Sequence, residues 1–205
     1  VAALAAVTSA SAADRMWIGF HDDPSLRWSD TRTDELDSAH GAGATIVRTL
    51  VEWHQVAKTK PANPTNSFDK AYNFADIDEL VRNAQARGME VILDLWGTPG
   101  WANGNGKPNV PPTNAKDFAD FAKAVASRYS GKRPGYPFVR FYGIWNESNI
   151  SLFLTPQYDA SGKIVGPAAY ARLAKAAIPA IKAASPKAQV SIGETSSTGR
   201  DKPKK

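Results

Sequence analysis

Apolar residues in this chain gather in five short runs, Met16–Phe20, Thr45–Val51, Glu90–Leu95, Phe138–Trp145 and Gln189–Gly193. Val47 and Val51, and the unbroken Val91-Ile92-Leu93, are typical of strands covered on both faces. Between these runs the apolar positions change to helical spacing. Phe74, Ile77, Leu80, Val81 and Ala84 make one face, with Gly88 as its stop. Phe118, Phe121, Ala122, Val125 and Tyr129 make a second, ending near Gly131, and Tyr170, Leu173, Ala174, Ala177 and Ile181 make a third. Pro179 is expected to kink the third helix. A shorter helix is predicted over Thr33–His40.

Strand and helix therefore alternate, which implies parallel strands joined by helical crossovers. Strand starts recur at intervals of about 30 to 50 residues, the scale of βα units with long loops. The helix-to-strand links Gly41–Ala44, Gly88–Met89, Gly131–Pro137 and Ser185–Ala188 are short. The strand-to-helix links Glu52–Asn73, Trp96–Pro112 and Glu147–Pro167 are long. Loops that lengthen at one face of a parallel sheet mark the C-terminal ends of the strands as the place where function is built. An open doubly wound sheet has the same alternation but usually a glycine-rich phosphate turn after its first strand. Gly19-Phe-His-Asp-Asp-Pro24 is no such turn, so an α/β fold of the (β/α)8 TIM-barrel type is expected, represented by its first five or so βα units.

Composition narrows the setting. At 205 residues, 42% hydrophobic and 22% charged, the chain is long enough for one domain with a sizeable core. The net charge of +5 owes three charges to the stretch Arg200–Lys205, and no basic stripe runs through the body, so no nucleic-acid partner is expected. Val1–Val7 is apolar, and Ala10-Ser11-Ala12 fits the small-x-small pattern of a secretory cleavage site. Residues 1–12 are accordingly expected to be a signal-peptide remnant, residues 13–205 the domain, and the protein secreted; a frayed Ala-rich helix is the alternative. No membrane association is expected, since no other stretch is long and apolar enough to span a bilayer. There is no cysteine, and no cluster of Asp, Glu and His at ligand spacing, so neither metal nor other cofactor is expected.

Trp145, Asn146 and Glu147 end the fourth run at the loop-rich face. A half-buried carboxyl there can keep a proton to give away, and an adjacent amide can bind a polar substrate; equally, Glu147 could be a cap or an ion-pair carboxylate. Arg48, in a run that otherwise reads as buried, needs an acidic partner. Trp53, Trp96, Trp101 and Trp145 offer flat faces on which sugars stack, although core packing is the commoner role for any one tryptophan. His21, Asp22, Asp23, His54 and Asp94 lie at or beyond strand ends, where each could contact hydroxyls or cap a turn.

The segment Gly143-Ile-Trp-Asn-Glu-Ser-Asn149 resembles the fourth-strand signature of the clan A glycoside hydrolases, the cellulase-like family 5 and the xylosidase-like family 39 among them. Ala44-Thr-Ile-Val-Arg48 is similar to the clan's second strand, and Val91–Trp101 to its third strand and following loop. The resemblance implies retaining hydrolysis of glycosidic bonds on an eight-stranded barrel. Glu147 would be the acid/base, Asn146 would bind the 2-hydroxyl of the sugar, and Arg48 would neighbour the nucleophile. The clan takes that nucleophile from its seventh strand, whereas this chain has five. An eight-stranded barrel usually takes ~250 residues, so the chain is expected to be the N-terminal part of a longer product, monomeric when full length, the nucleophile lying elsewhere. Glu194, ending the fifth run, is expected to line the pocket. On its own the piece is expected to be inactive and poorly soluble, because it would expose an apolar sheet edge. Two other classes fit: a non-catalytic carbohydrate-binding or interaction protein on a degenerate barrel, and a metal-dependent barrel hydrolase, which the scarcity of histidine disfavours.

Overall fold

The computed structural model describes residues 16–199. The expected leader at residues 1–12 and the basic stretch from residue 200 lie outside the described residues. Strands β1 (Gly19–Phe20), β2 (Ile46–Glu52), β3 (Glu90–Trp96), β4 (Phe141–Ile144) and β5 (Gln189–Ser191) form one parallel sheet in sequence order. Helices α1 (Arg32–Gly41), α2 (Trp53–Val56), α3 (Ala75–Ala86), α4 (Gly100–Asn103), α5 (Ala115–Arg128) and α6 (Gly166–Ala184) fill the crossovers. A single π-turn, Pro24–Trp28, follows β1.

Register decides which residues share a face. Leu50, Asp94, Gly143 and Ser191 stand side by side across β2 to β5, one row beyond Arg48, Ile92, Phe141 and Gln189. The alternate positions Val47, Val51, Val91, Leu93, Leu95, Tyr142 and Ile144 are fully buried, in one core with Ile77 and Val81 of α3, Phe118, Phe121 and Val125 of α5, and Ile181 of α6. Each aliphatic side chain so buried is worth roughly 1.5–3 kcal/mol relative to leaving it in water. One face of the sheet is thus a hydrocarbon seam under helices. The other carries Arg48, Asp94 and Ser191. Ile18, Phe20 and Ile192, at the two edges of the sheet, remain exposed.

The three long helices and α1 fall where the periodicity places them. Strands β1, β4 and β5 are shorter than their apolar runs, because a ladder extends only as far as its neighbour offers partners. The expected stop at Gly88 follows α3 in the left-handed conformation, φ 74°. Helix α6 continues through Pro179 to Ala184. Proline removes the N–H that would bond to the Lys175 carbonyl; both residues are exposed, so water can take that carbonyl. The π-turn, α2 and α4 were hidden in segments that read as loop, since elements of four or five residues are too short to repeat a helical period.

Candidate active site

The π-turn sets the first wall. Arg27 is buried there and donates to Asp76 Oδ2 at 2.8 Å, Thr49 Oγ1 at 3.1 Å and the Leu50 carbonyl at 2.6 Å, which ties the turn to β2 and α3. Asp23 accepts from the Thr49 hydroxyl and from Leu50 N at 3.0 Å. Burial would raise the Asp23 carboxyl, but its hydrogen bonds from His21, Thr49 and Leu50 N and the charge of Arg27 hold it below the usual carboxylate range. His21 Nε2 lies 3.6 Å from this carboxylate, and His21 Nδ1 accepts from Arg48 Nη1 at 2.8 Å, so the ring proton sits on Nε2. Of the acids expected at the rim, Asp23 is therefore an internal anchor.

Arg48 is the hub. Its Nη2 donates to Asn146 Oδ1 at 2.7 Å, to Glu194 Oε2 at 2.6 Å and to Asp94 Oδ2, and its Nε reaches Glu194 Oε2 at 3.2 Å. The other Glu194 oxygen accepts from Ser191 Oγ at 2.6 Å. Asp94 is fully buried beneath the guanidinium and unavailable to any hydroxyl of a ligand, so of the two roles left open for it the hydroxyl contact is removed. Burial drives its carboxyl above the usual range, Arg48 opposes, and the charge of Glu194 adds to the rise. Gly143 makes room for this pair: a Cβ there would meet Glu194 Oε1 at 2.3 Å and Asp94 Oδ1 at 2.6 Å.

After β4 the backbone leaves regular strand geometry. Trp145 has φ 66° and Glu147 φ 37°, both in the left-handed region that residues with side chains seldom occupy. By alternation Trp145 would follow Gly143 onto the polar face. Instead its ring is fully buried edge-on to Phe118, with Nε1 donating to the Phe153 carbonyl at 2.8 Å. Asn146 turns its oxygen to Arg48, leaving its Nδ2 to face other acceptors. Asn149 clamps the loop after β5: its Nδ2 donates to the Ser196 carbonyl at 3.0 Å and its Oδ1 accepts from Ser196 N at 2.8 Å.

His21, Arg48, Asn146, Glu147, Glu194 and Thr195 line one recess of ≈ 320 Å³ at the C-terminal ends of the strands. Glu147 is half-buried, and among the described residues its carboxyl makes no hydrogen bond or ion pair. The four tryptophans expected as platforms do not line this recess. Trp53 is fully buried and stacks on Phe121 at 5.4 Å between ring centroids. It and Trp145 belong to the core. Trp96 and Trp101 are part-buried, with their N–H groups given to the Phe153 and Ala57 carbonyls at 3.2 and 2.8 Å. Thr195, Ser191 and Asn149 were missed, although each lies within three residues of a residue singled out in the sequence. No group of acidic and histidine side chains suited to a metal occurs among the described residues.

Residues 10–204 match the family described as Cellulase (glycosyl hydrolase family 5). No curated protein matches the chain. Among solved structures, a monomeric beta-xylosidase from Caulobacter crescentus is similar over 88% of this chain and 36% of its own, with 22% identity and a TM-score of 0.62. An endoglucanase from Thermotoga maritima is similar over 85% of this chain and 50% of its own, with 21% identity and a TM-score of 0.57. A family 39 glycoside hydrolase from Bacteroides cellulosilyticus is similar over 85% and 30%, with 21% identity and a TM-score of 0.53. Likeness at this identity is a likeness of fold: the five parallel strands and the helices between them correspond to part of a (β/α)8 barrel, and the chain spans 30% to 50% of the length of these three.

Proposed function

The chain belongs to glycosyl hydrolase family 5, and on that premise we propose that it carries the acid/base side of a retaining glycosidase site, with Glu147 as proton donor. One observation carries this reading: Glu147, uncommitted to any partner among the described residues, lines the same recess as Arg48, Asn146 and Glu194 at the C-terminal ends of the strands. The substrate is a poly- or oligosaccharide.

In the first step Glu147 gives its proton to the glycosidic oxygen while a second carboxylate attacks the anomeric carbon. The carbon–oxygen bond to the leaving sugar breaks and a glycosyl ester forms. In the second step water loses a proton to Glu147, attacks the same carbon and releases the ester as carboxylate. Asn146 Nδ2, freed by the engagement of its oxygen with Arg48, donates to a hydroxyl of the sugar bound beside the reacting bond. Glu194, with Arg48 and Ser191 on its two oxygens, is assigned to the lining of the pocket. The resemblance to clan A implies that the attacking carboxylate comes from a later strand than the five described, and in this reading those five strands alone are inactive. We also place the protein outside the cell, with a mature start near Ala13 that N-terminal sequencing of material from the medium would locate.

The test uses the full-length gene product on aryl glycosides. Glu147→Ala should lower kcat/KM about 1,000-fold when the leaving group is poor. With a good leaving group it should retain a first-turnover burst, and azide should restore turnover as the glycosyl azide of retained configuration. Unchanged turnover in Glu147→Ala overturns the assignment. Sugar binding without hydrolysis in the full-length wild type would favour the non-catalytic reading.

A further inference from the structure

Arg48 Nη2 has two hydrogens but three acceptor oxygens around it, from Asp94, Asn146 and Glu194. Its single charge faces two carboxyls. Asp94 is the inner one, fully buried, and its Oδ1 finds no hydrogen-bond donor among the described residues. That oxygen and Glu194 Oε1 are the two atoms closest to the vacant Cβ position of Gly143, so they share one small space. Two ionised carboxylates placed this way would repel at a buried site, and a bare buried oxygen would stay unsatisfied. A proton on Asp94 Oδ1 removes both problems, since O–H then donates to Glu194.

We propose that Asp94 works as a neutral carboxylic acid, a positioning residue whose proton bridges to Glu194 and leaves Arg48 one carboxylate to neutralise. What it positions rests on the glycosidase reading above. With Glu194 fixed by Asp94, Ser191 and Arg48, the guanidinium is fixed in turn, and it holds the Asn146 oxygen so that the amide N–H faces the recess. The burial and the Glu194 charge that raise the Asp94 carboxyl agree with a proton held there at neutral pH. The ionisable groups facing Asp94 are Arg48 from β2, Glu194 after β5 and Tyr170 from α6, with His21 acting through Arg48. The sign follows: as pH rises Asp94 loses its proton, the bridge to Glu194 becomes a repulsion, and kcat/KM falls on the alkaline side. Stability falls with pH too, but earlier: a carboxyl raised by folding to about 8 costs stability progressively from its ordinary value up to that pH and no further above it.

Two variants separate this role from a merely structural one. Asp94→Asn keeps an acceptor for Arg48 and supplies a permanent donor to Glu194. It should stay within about tenfold of wild-type kcat/KM, with the alkaline limb moved to higher pH. Asp94→Ala should lose about 100-fold, the scale of a misplaced reacting group. Equal losses in the two variants would mean that Asp94 serves as an anion, and would overturn the proposal. An isotope-edited infrared spectrum of the full-length protein at neutral pH gives a reading independent of turnover. A carboxylic-acid C=O band present in wild type and absent from Asp94→Asn supports the proposal; no such band overturns it. If the band is present while no glycoside is cleaved, the glycosidase reading falls and the protonated Asp94 stands.

Discussion

Arg128 and Arg48, two of the arginines that leave the solvent for carboxylates, end in opposite kinds of place. Arg128, in the last turn of α5, donates to Asp78 at 2.8 and 2.5 Å, and its guanidinium lies 4.8, 4.9 and 4.5 Å from the rings of Phe68, Phe74 and Tyr136. Tyr129 supplies a further donor to Asp78 at 2.8 Å. One cation meets one anion there, and aromatic faces fill the remaining space. Arg48 meets two carboxyls, an amide and an imidazole, has no ring stacked on it among the described residues, and opens on a recess. A closed, balanced pair holds helices together. A cation with more acceptors than its charge can satisfy keeps polar groups poised toward a cavity, which is what a ligand site needs.

This contrast can be broken in order of effect. Glu147→Ala should cost the most, about 1,000-fold in kcat/KM on a poor leaving group, with the melting temperature unmoved; a fall in stability instead would make Glu147 structural. Asp78→Asn leaves Arg128 buried against a neutral partner and should cost about 3 kcal/mol in denaturant unfolding, with KM and the pH profile unchanged. An altered pH profile would link the two arginines. Arg48→Lys should lower kcat/KM about 100-fold with little change in stability, since one ammonium cannot reach Glu194, Asn146 and His21 together. Full activity in that variant would erase the distinction drawn here. Asn114→Ala removes the cap that accepts from Lys116 N at 3.0 Å. It should cost about 1 kcal/mol and leave activity alone, although α5 supports both Trp145 through Phe118 and the Arg128 box.

The residues that gather at the recess, His21, Arg48, Asn146, Glu147 and Glu194, were legible because each sits in or just beyond a strand whose direction the βα alternation had already set. Trp53 and Trp145 misled because a ring's exposure depends on local backbone. The short helix α2 turns Trp53 onto Phe121, and the left-handed φ at Trp145 drives its ring onto Phe118. Asp94 misled for a different reason. Its place in the chain looks like a strand end, but its register beside Gly143 puts it under Arg48.

The order of strands, the helix-covered face and the end at which long loops collect were determined by the sequence alone, through periodicity and loop length, both local quantities. Which acids reach the cavity and which sink beneath it was decided only by the tertiary structure. Charge pairing and burial depend on residues brought together across 46 positions from Arg48 to Asp94 and 146 from Arg48 to Glu194. No local pattern records those distances in space.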